Sequence, residues 1–124
     1  MLKIQCITID CHNPKALSEF WAQALNWKFD ENATEDEAYI EKNLELNNND
    51  GYPDLLFIKT PDQKNSKNRV HLDLRPTNQL EEVERLEKIG ATRIEIGQSS
   101  SSETTWIVMA DPEGNEFCVL KALS

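Results

Sequence analysis

The chain has 124 residues, 39% of them hydrophobic, which suffices for one ordinary core. Thirteen Lys and Arg stand against 22 Asp and Glu, a formal charge of −9 with no basic patch, so a nucleic-acid partner is not expected. No apolar stretch approaches the roughly 20 residues of a membrane span, and "MLKIQCITID" lacks the uninterrupted apolar run of a signal peptide; a soluble, cytoplasmic protein with no membrane partner is expected.

In chain order, residues 3 to 10 alternate as a half-buried strand. Ile7 and Ile9 face one way, and Cys6, Thr8 and Asp10 the other. His12 lies in the following loop and reads as an exposed turn residue, while Cys11 has core parity. Asn13 and Pro14 read as an N-cap with proline at the first helical position. Leu17, Phe20, Trp21, Ala24 and Leu25 then form the apolar stripe of a helix packed on a sheet. Strands follow near residues 27–30, 38–46 and 54–59, split by the polar turn "NNNDGYPD".

From residue 69 the same βαβββ order returns. "RVHLDLR" sets Val70, Leu72 and Leu74 against His71, Asp73 and Arg75. Asn78 with Glu81 marks a capped helix start, Leu80, Val83, Leu86 and Ile89 form its stripe, and Gly90 ends it. Glu81 with Arg85 and Glu84 with Lys88 have the spacing of solvated ion pairs. Strands near 92–97, 104–110 and 115–121 complete the unit. "LLFIKT" (55–60) aligns with "FCVLKA" (117–122), which equates Cys6 with His71 and Leu56 with Cys118. The chain therefore divides into module one (1–60), a polar linker (61–68) and module two (69–124), within one domain. The serine-rich stretch 97–104 reads as a second mobile loop.

Three motifs in order, "CITIDCHNPKALSEFWAQALNW", "VHLDLR" with "LEEVERLEKIGA", and "WIVMADPEGNEFCVL", resemble the vicinal oxygen chelate superfamily, the glyoxalase, bleomycin-resistance and extradiol-dioxygenase group. The likeness is greatest to its glyoxalase-like branch. The resemblance implies an α+β fold of two tandem βαβββ modules, whose eight strands form a curled mixed sheet around a cleft with helices on the outer face. It also implies that chains often pair as homodimers. In the superfamily's metalloenzymes a divalent ion is held by His, Gln or Glu at positions that here are Cys6, Leu56, His71 and Cys118. His71 alone keeps the usual ligand type. Two thiolates and an imidazole form a soft set that suits zinc better than the harder ions; the competing reading makes Cys6 and Cys118 buried packing.

The cleft is expected to be lined by Cys6, Thr8, Asp10, Leu56, His71, Asp73, Arg75, Trp106, Glu116 and Cys118. Three ionisable groups on the face of His71 do not describe a dry core. Asp73 there suits orienting the imidazole and Arg75 holding an anion; an ion pair of Arg75 with Asp10 is the alternative. Trp106 reads as a cleft wall or as half-buried packing, and Glu116 as a residue of the cleft mouth or an exposed strand end. "DPEGN" has a turn reason at each position and argues for the fold alone. The leading expectation is a binder of a small polar or anionic organic molecule. The alternatives are a metal-dependent lyase, isomerase or dioxygenase using Cys6, His71 and Cys118, and thiol chemistry at Cys6 or Cys118. Three cysteines without a CxxC pair suit a reducing compartment.

Overall fold

A computed structural model describes residues 1–45, 50–94 and 104–123. The described chain falls into two compact units, Met1–Asp62 and Gln63–Ser124.

In the first unit the strands are β1 (Cys6–Cys11), β2 (Lys28–Phe29), β3 (Glu37–Glu41) and β4 (Asp54–Lys59), and the helix α1 spans Pro14–Leu25. Their sheet order is β1-β4-β3-β2, with β1 parallel to β4 and the other neighbours antiparallel. The expected first strand starts later than residue 3: Ile4 is exposed, and pairing begins where Cys6 meets Asp54. Asn13 caps α1, its Oδ1 accepting from Ala16 N at 3.2 Å, and Pro14 needs no partner for a missing N–H. The helix closes at Asn26, whose φ of 57° turns the chain back so that Trp27 N donates to Ala22 O at 2.9 Å. Leu17, Phe20 and Trp21 are buried, as are Ala38, Ile40, Leu55 and Phe57 of the sheet. Cys11 belongs to this core as its parity indicated.

The second unit repeats the plan. Its elements are β5 (Asp73–Leu74), α2 (Gln79–Lys88), β6 (Thr92–Arg93), β7 (Trp106–Ala110) and β8 (Glu116–Leu120), with sheet order β5-β8-β7-β6. Asn78 Oδ1 accepts from Glu81 N at 3.1 Å, and Gly90, at φ 122°, closes α2 with Ala91 N donating to Leu86 O at 2.9 Å. Val83 and Leu86 are buried with Ile107, Met109, Phe117 and Val119. Arg85 on the outer side of α2 bonds Glu82 at 2.7 Å.

Among the described residues the strands pair as two four-stranded mixed sheets, which carry the expected α+β plan of two βαβββ modules. One expectation needs correction. The strand expected over "RVHLDLR" is paired only at Asp73–Leu74, and Val70, assigned to the core by alternation, is exposed. The cause is Asn68, which occupies the edge of β8: its Oδ1 accepts from Glu116 N at 3.0 Å and its Nδ2 donates to Glu116 O at 3.3 Å, replacing ladder bonds that a longer β5 would make. The strand expected over 92–97 is described only to Arg93; residues 95–97, residue 46 of the expected third strand, residues 47–49 of the polar turn and the serine-rich stretch before Thr104 lie outside the described residues.

The "DPEGN" turn forms as its residues indicated. Gly114 N donates to Asp111 O at 2.9 Å, Gly114 adopts φ 85°, and Asp111 Oδ1 accepts from the backbone N–H of Glu113 and Asn115 at 2.9 and 3.0 Å. A carboxylate that is only 2% exposed is stable there because those donors replace its water.

Candidate functional site

The open face of the second sheet brings an imidazole, a carboxylate and a thiol together. The parallel β5–β8 register sets Asp73 opposite Cys118, and β7 sets Val108 opposite the same residue. Residues opposite one another share a face, so Asp73, Cys118 and Val108 form one row, which Glu116, Leu120 and Trp106 extend. His71 Nε2 lies 3.2 Å from Asp73 Oδ1. One ligand atom each from His71, Asp73 and Cys118 lies within 4.8 Å of the other two. His71 and Asp73 are about half exposed, at 48% and 52%, so water reaches the group from one side.

The thiol is the least solvated member. Burial pushes the Cys118 thiol up from its ordinary value, and the charge of Asp73 and a hydrogen bond to it act in the same direction. Near neutral pH Cys118 is therefore a protonated thiol, a donor toward Asp73 and a poor nucleophile. Asp73 is shared between an imidazole and a thiol.

Glu116 sits two residues before Cys118 and is half-buried, so it is not a free strand end. Lys67 Nζ donates to its carboxylate at 2.5 Å, and this partner holds the Glu116 carboxyl below and the Lys67 ammonium above their ordinary values. Asn68 fixes the Glu116 backbone on both sides. Both residues come from the stretch expected to be a surface linker. Sequence reasoning missed them because pairing a loop lysine with a strand 49 positions away leaves no local pattern.

The matching face of the first sheet carries thiol, hydroxyl and carboxylate groups but no imidazole from its strands. Cys6 pairs with Asp54, Thr8 with Leu56 and Asp10 with Ile58, while Tyr39 faces Leu56 from β3. Cys6 Sγ lies 3.9 Å from Thr8 Oγ1, and Leu56 offers no donor or acceptor in its side chain. Lys42 holds Asp54 through both its backbone N–H, at 3.0 Å, and its Nζ, at 3.4 Å. Tyr39 donates to Glu41 Oε1 at 3.3 Å, and the nearby carboxylates of Asp30 and Glu41 push its phenol up. His12 is exposed, and its Nε2 lies 2.8 Å from Asp62 O at the end of this unit.

The sequence-derived residues thus divide by module. Cys6, Thr8, Asp10 and Leu56 lie on the first sheet, and His71, Asp73, Arg75, Trp106, Glu116 and Cys118 belong to the second unit. The compact His71–Cys118 group is completed by Asp73 from within that unit. Arg75 donates through Nη1 to Lys121 O at 2.6 Å. Among the described residues no helix is long and apolar enough to cross a membrane.

With this geometry in hand, known proteins are informative. The model of the glyoxalase-like domain matches residues 6–120. No curated protein sequence matches the chain. Among solved structures, a glyoxalase/bleomycin resistance protein/dioxygenase family enzyme from Burkholderia phytofirmans PsJN is similar at a TM-score of 0.68 and 18% identity, over 98% of this chain and 100% of its own. A genomically encoded fosfomycin resistance protein from Listeria monocytogenes, complexed with Mn(II) and 1S,2S-dihydroxypropylphosphonic acid, gives 0.66 and 14%, over 98% and 91%. The bleomycin-binding protein of bleomycin-producing Streptomyces verticillus, complexed with copper(II)-bleomycin, gives 0.58 and 14%, over 98% of each chain. At these identities the likeness carries the fold alone.

Proposed function

This chain belongs to the glyoxalase-like domain family, and we propose that it binds a small polar or anionic organic molecule on the open face of its second sheet, without the usual His and Glu metal set. One observation carries the reading: His71, Asp73 and Cys118 meet on a half-solvated face, while the equivalent first-module positions offer Cys6, Thr8 and Leu56. The set supplies an imidazole, a carboxylate and a thiol to hydrogen-bond a ligand, with water close by to be displaced. Relatives of the same fold bind bleomycin or a dihydroxypropylphosphonic acid, which supports small-molecule binding as the role. Three free thiols suit a reducing compartment such as the cytoplasm.

A thermal-shift screen of small polar and anionic compounds tests this. Hits are expected whose stabilisation is lost in His71→Ala and reduced in Asp73→Ala. Hits indifferent to both substitutions would remove this face as the site.

A second reading, a divalent-metal-dependent lyase, isomerase or dioxygenase, is favoured by the 4.8 Å grouping. The donors fit a borderline-soft ion such as zinc, with His71, Cys118 and Asp73 as ligands and a fourth position open. Zinc there would act as a Lewis acid toward a ligand oxygen. His71, Asp73 and Cys118 would hold the ion, and Cys118 would have to give up its proton to do so. Stoichiometric metal in purified protein, or a thermal shift with Zn, Ni, Mn or Fe(II) that Asp73→Asn abolishes and Cys6→Ser leaves intact, would establish this reading over the first. No metal and no shift would end it.

A further inference from the structure

The same sheet face ends in a second row. β7 pairs Trp106 with Leu120, and the β5–β8 register places Arg75 one step past the Leu74–Val119 pair, on the other side of Leu120. The guanidinium reaches Lys121 O at 2.6 Å, and Lys121 N donates to Thr105 O at 3.0 Å. Both ends of the row are thereby tied to one residue of backbone. Trp106 is 45% exposed, although its neighbour Ile107 is 1% exposed.

That exposed indole is carried on a fixed backbone. Gln79 is fully buried, and its side chain spends its bonds on the residue two before the tryptophan: Nε2 donates to Thr104 O at 2.8 Å and to Val119 O at 3.2 Å, while Oε1 accepts from Thr104 N at 3.1 Å. Thr104 Oγ1 donates in turn to Trp106 O at 2.7 Å. A buried amide is costly unless its bonds are made, and here two of them hold Thr104, at the approach to β7, and the third holds β8 at Val119. A large aromatic surface presented to water from an anchored backbone is available for stacking.

Charge separates this row from its neighbours. Within the second unit Asp73 faces His71, and Glu116 faces Lys67. Arg75 meets a carbonyl there and no carboxylate among the described residues of that unit, which leaves it full charge and spare N–H donors in a planar fork.

We infer that this row takes a planar aromatic carboxylate, its ring on Trp106 and Leu120 and its carboxylate on Arg75. The inference rests on the ligand-binding reading above and names the ligand's class. Trp106 and Arg75 stand two strand spacings apart, about 10 Å, a span that a fused-ring carboxylate and the reach of one side chain cover together.

Calorimetry with 1-naphthoate, 1-naphthamide and cyclohexanecarboxylate tests it, alongside NMR of the indole N–H signals, with that of Trp106 assigned from Trp106→Phe. Naphthoate is expected to bind on the order of tenfold more tightly than either comparison compound and to move the Trp106 signal. Arg75→Gln should erase its advantage over naphthamide, Arg75→Lys should restore part of it, and Trp106→Ala should erase its advantage over cyclohexanecarboxylate. Both side chains are exposed, so the fold tolerates these changes. Equal affinities for the three compounds, or indifference to both variants, would overturn the inference. So would a dimer that Trp106→Ala converts to monomer without any naphthoate effect, because the face would then belong to a second copy. If none of the three binds while other compounds stabilise the protein through His71 or Asp73, the inference falls and the broader reading stands. If no small molecule stabilises the protein at all, both fall.

Discussion

The two modules share one plan and differ in what they place on it. Both run their sheets in the order first, fourth, third, second strand. Both set equivalent residues opposite each other, Thr8 against Leu56 in one and Asp73 against Cys118 in the other. Both also begin the last strand with a carboxylate held by a lysine, Asp54 by Lys42 and Glu116 by Lys67. The backbone is thus reproduced down to its register, while the side chains on the exposed face differ: Cys6, Thr8, Asp10 and Asp54 in the first copy, Asp73, Glu116 and Cys118 in the second. Packing and strand pairing tolerate either outward-facing set, because those side chains are not what holds the sheet on its helix.

Substitutions at matched positions sharpen that comparison. Phe57 and Val119 occupy equivalent buried places, 0% and 1% exposed. Phe57→Ala is expected to destabilise by about 3–5 kcal/mol, more than Val119→Ala, since the larger side chain leaves the larger cavity; urea denaturation measures both. Equal losses would mean that the first core collapses around the gap. Next in size is Asp111→Ala, which has no counterpart turn in module one among the described residues. It strands the N–H groups of Glu113 and Asn115 and should cost about 2 kcal/mol in the same assay. The helix caps should behave alike, Asn13→Ala and Asn78→Ala each costing about 1 kcal/mol. A large inequality between them would break the symmetry at the level of local structure.

The smallest effect is pH-dependent and confined to module two. Folding lowers the Glu116 carboxyl, so its contribution is present above the ordinary carboxylate value of about 4.3 and is lost as pH falls through the lowered value. Folding raises Lys67, whose contribution is present below about 10.4 and is lost as pH rises through the raised value. Melting temperature against pH should therefore respond to Glu116→Gln across the neutral range and not in strong acid. An identical profile for the variant at every pH would show the pair to be inert, as exposed pairs often are.

Much of this fold was legible because its signals are local. The α1 stripe of Leu17, Phe20 and Trp21, the caps at Asn13 and Asn78, and the "DPEGN" turn each declare themselves within a few residues. The β5 boundary was not legible, because alternation in "RVHLDLR" cannot reveal that Asn68 will take the edge of β8. The same limit applies to the candidate site. Alternation puts His71 and Asp73 on one face, but the contact of Asp73 with Cys118 depends on a parallel pairing across 45 residues, and the buried amide of Gln79 reads locally as an ordinary first-turn residue.

The most direct test of the central claim, that ligand chemistry resides on the second sheet, is a backbone amide NMR titration with small organic anions: acetate, phosphonoacetate and 1-naphthoate. The account predicts saturable shifts for at least one of them, concentrated at residues 71–75, 106 and 116–121. Shifts confined to residues 6–10 and 54–58, or no saturable shift with any of the three, would contradict it.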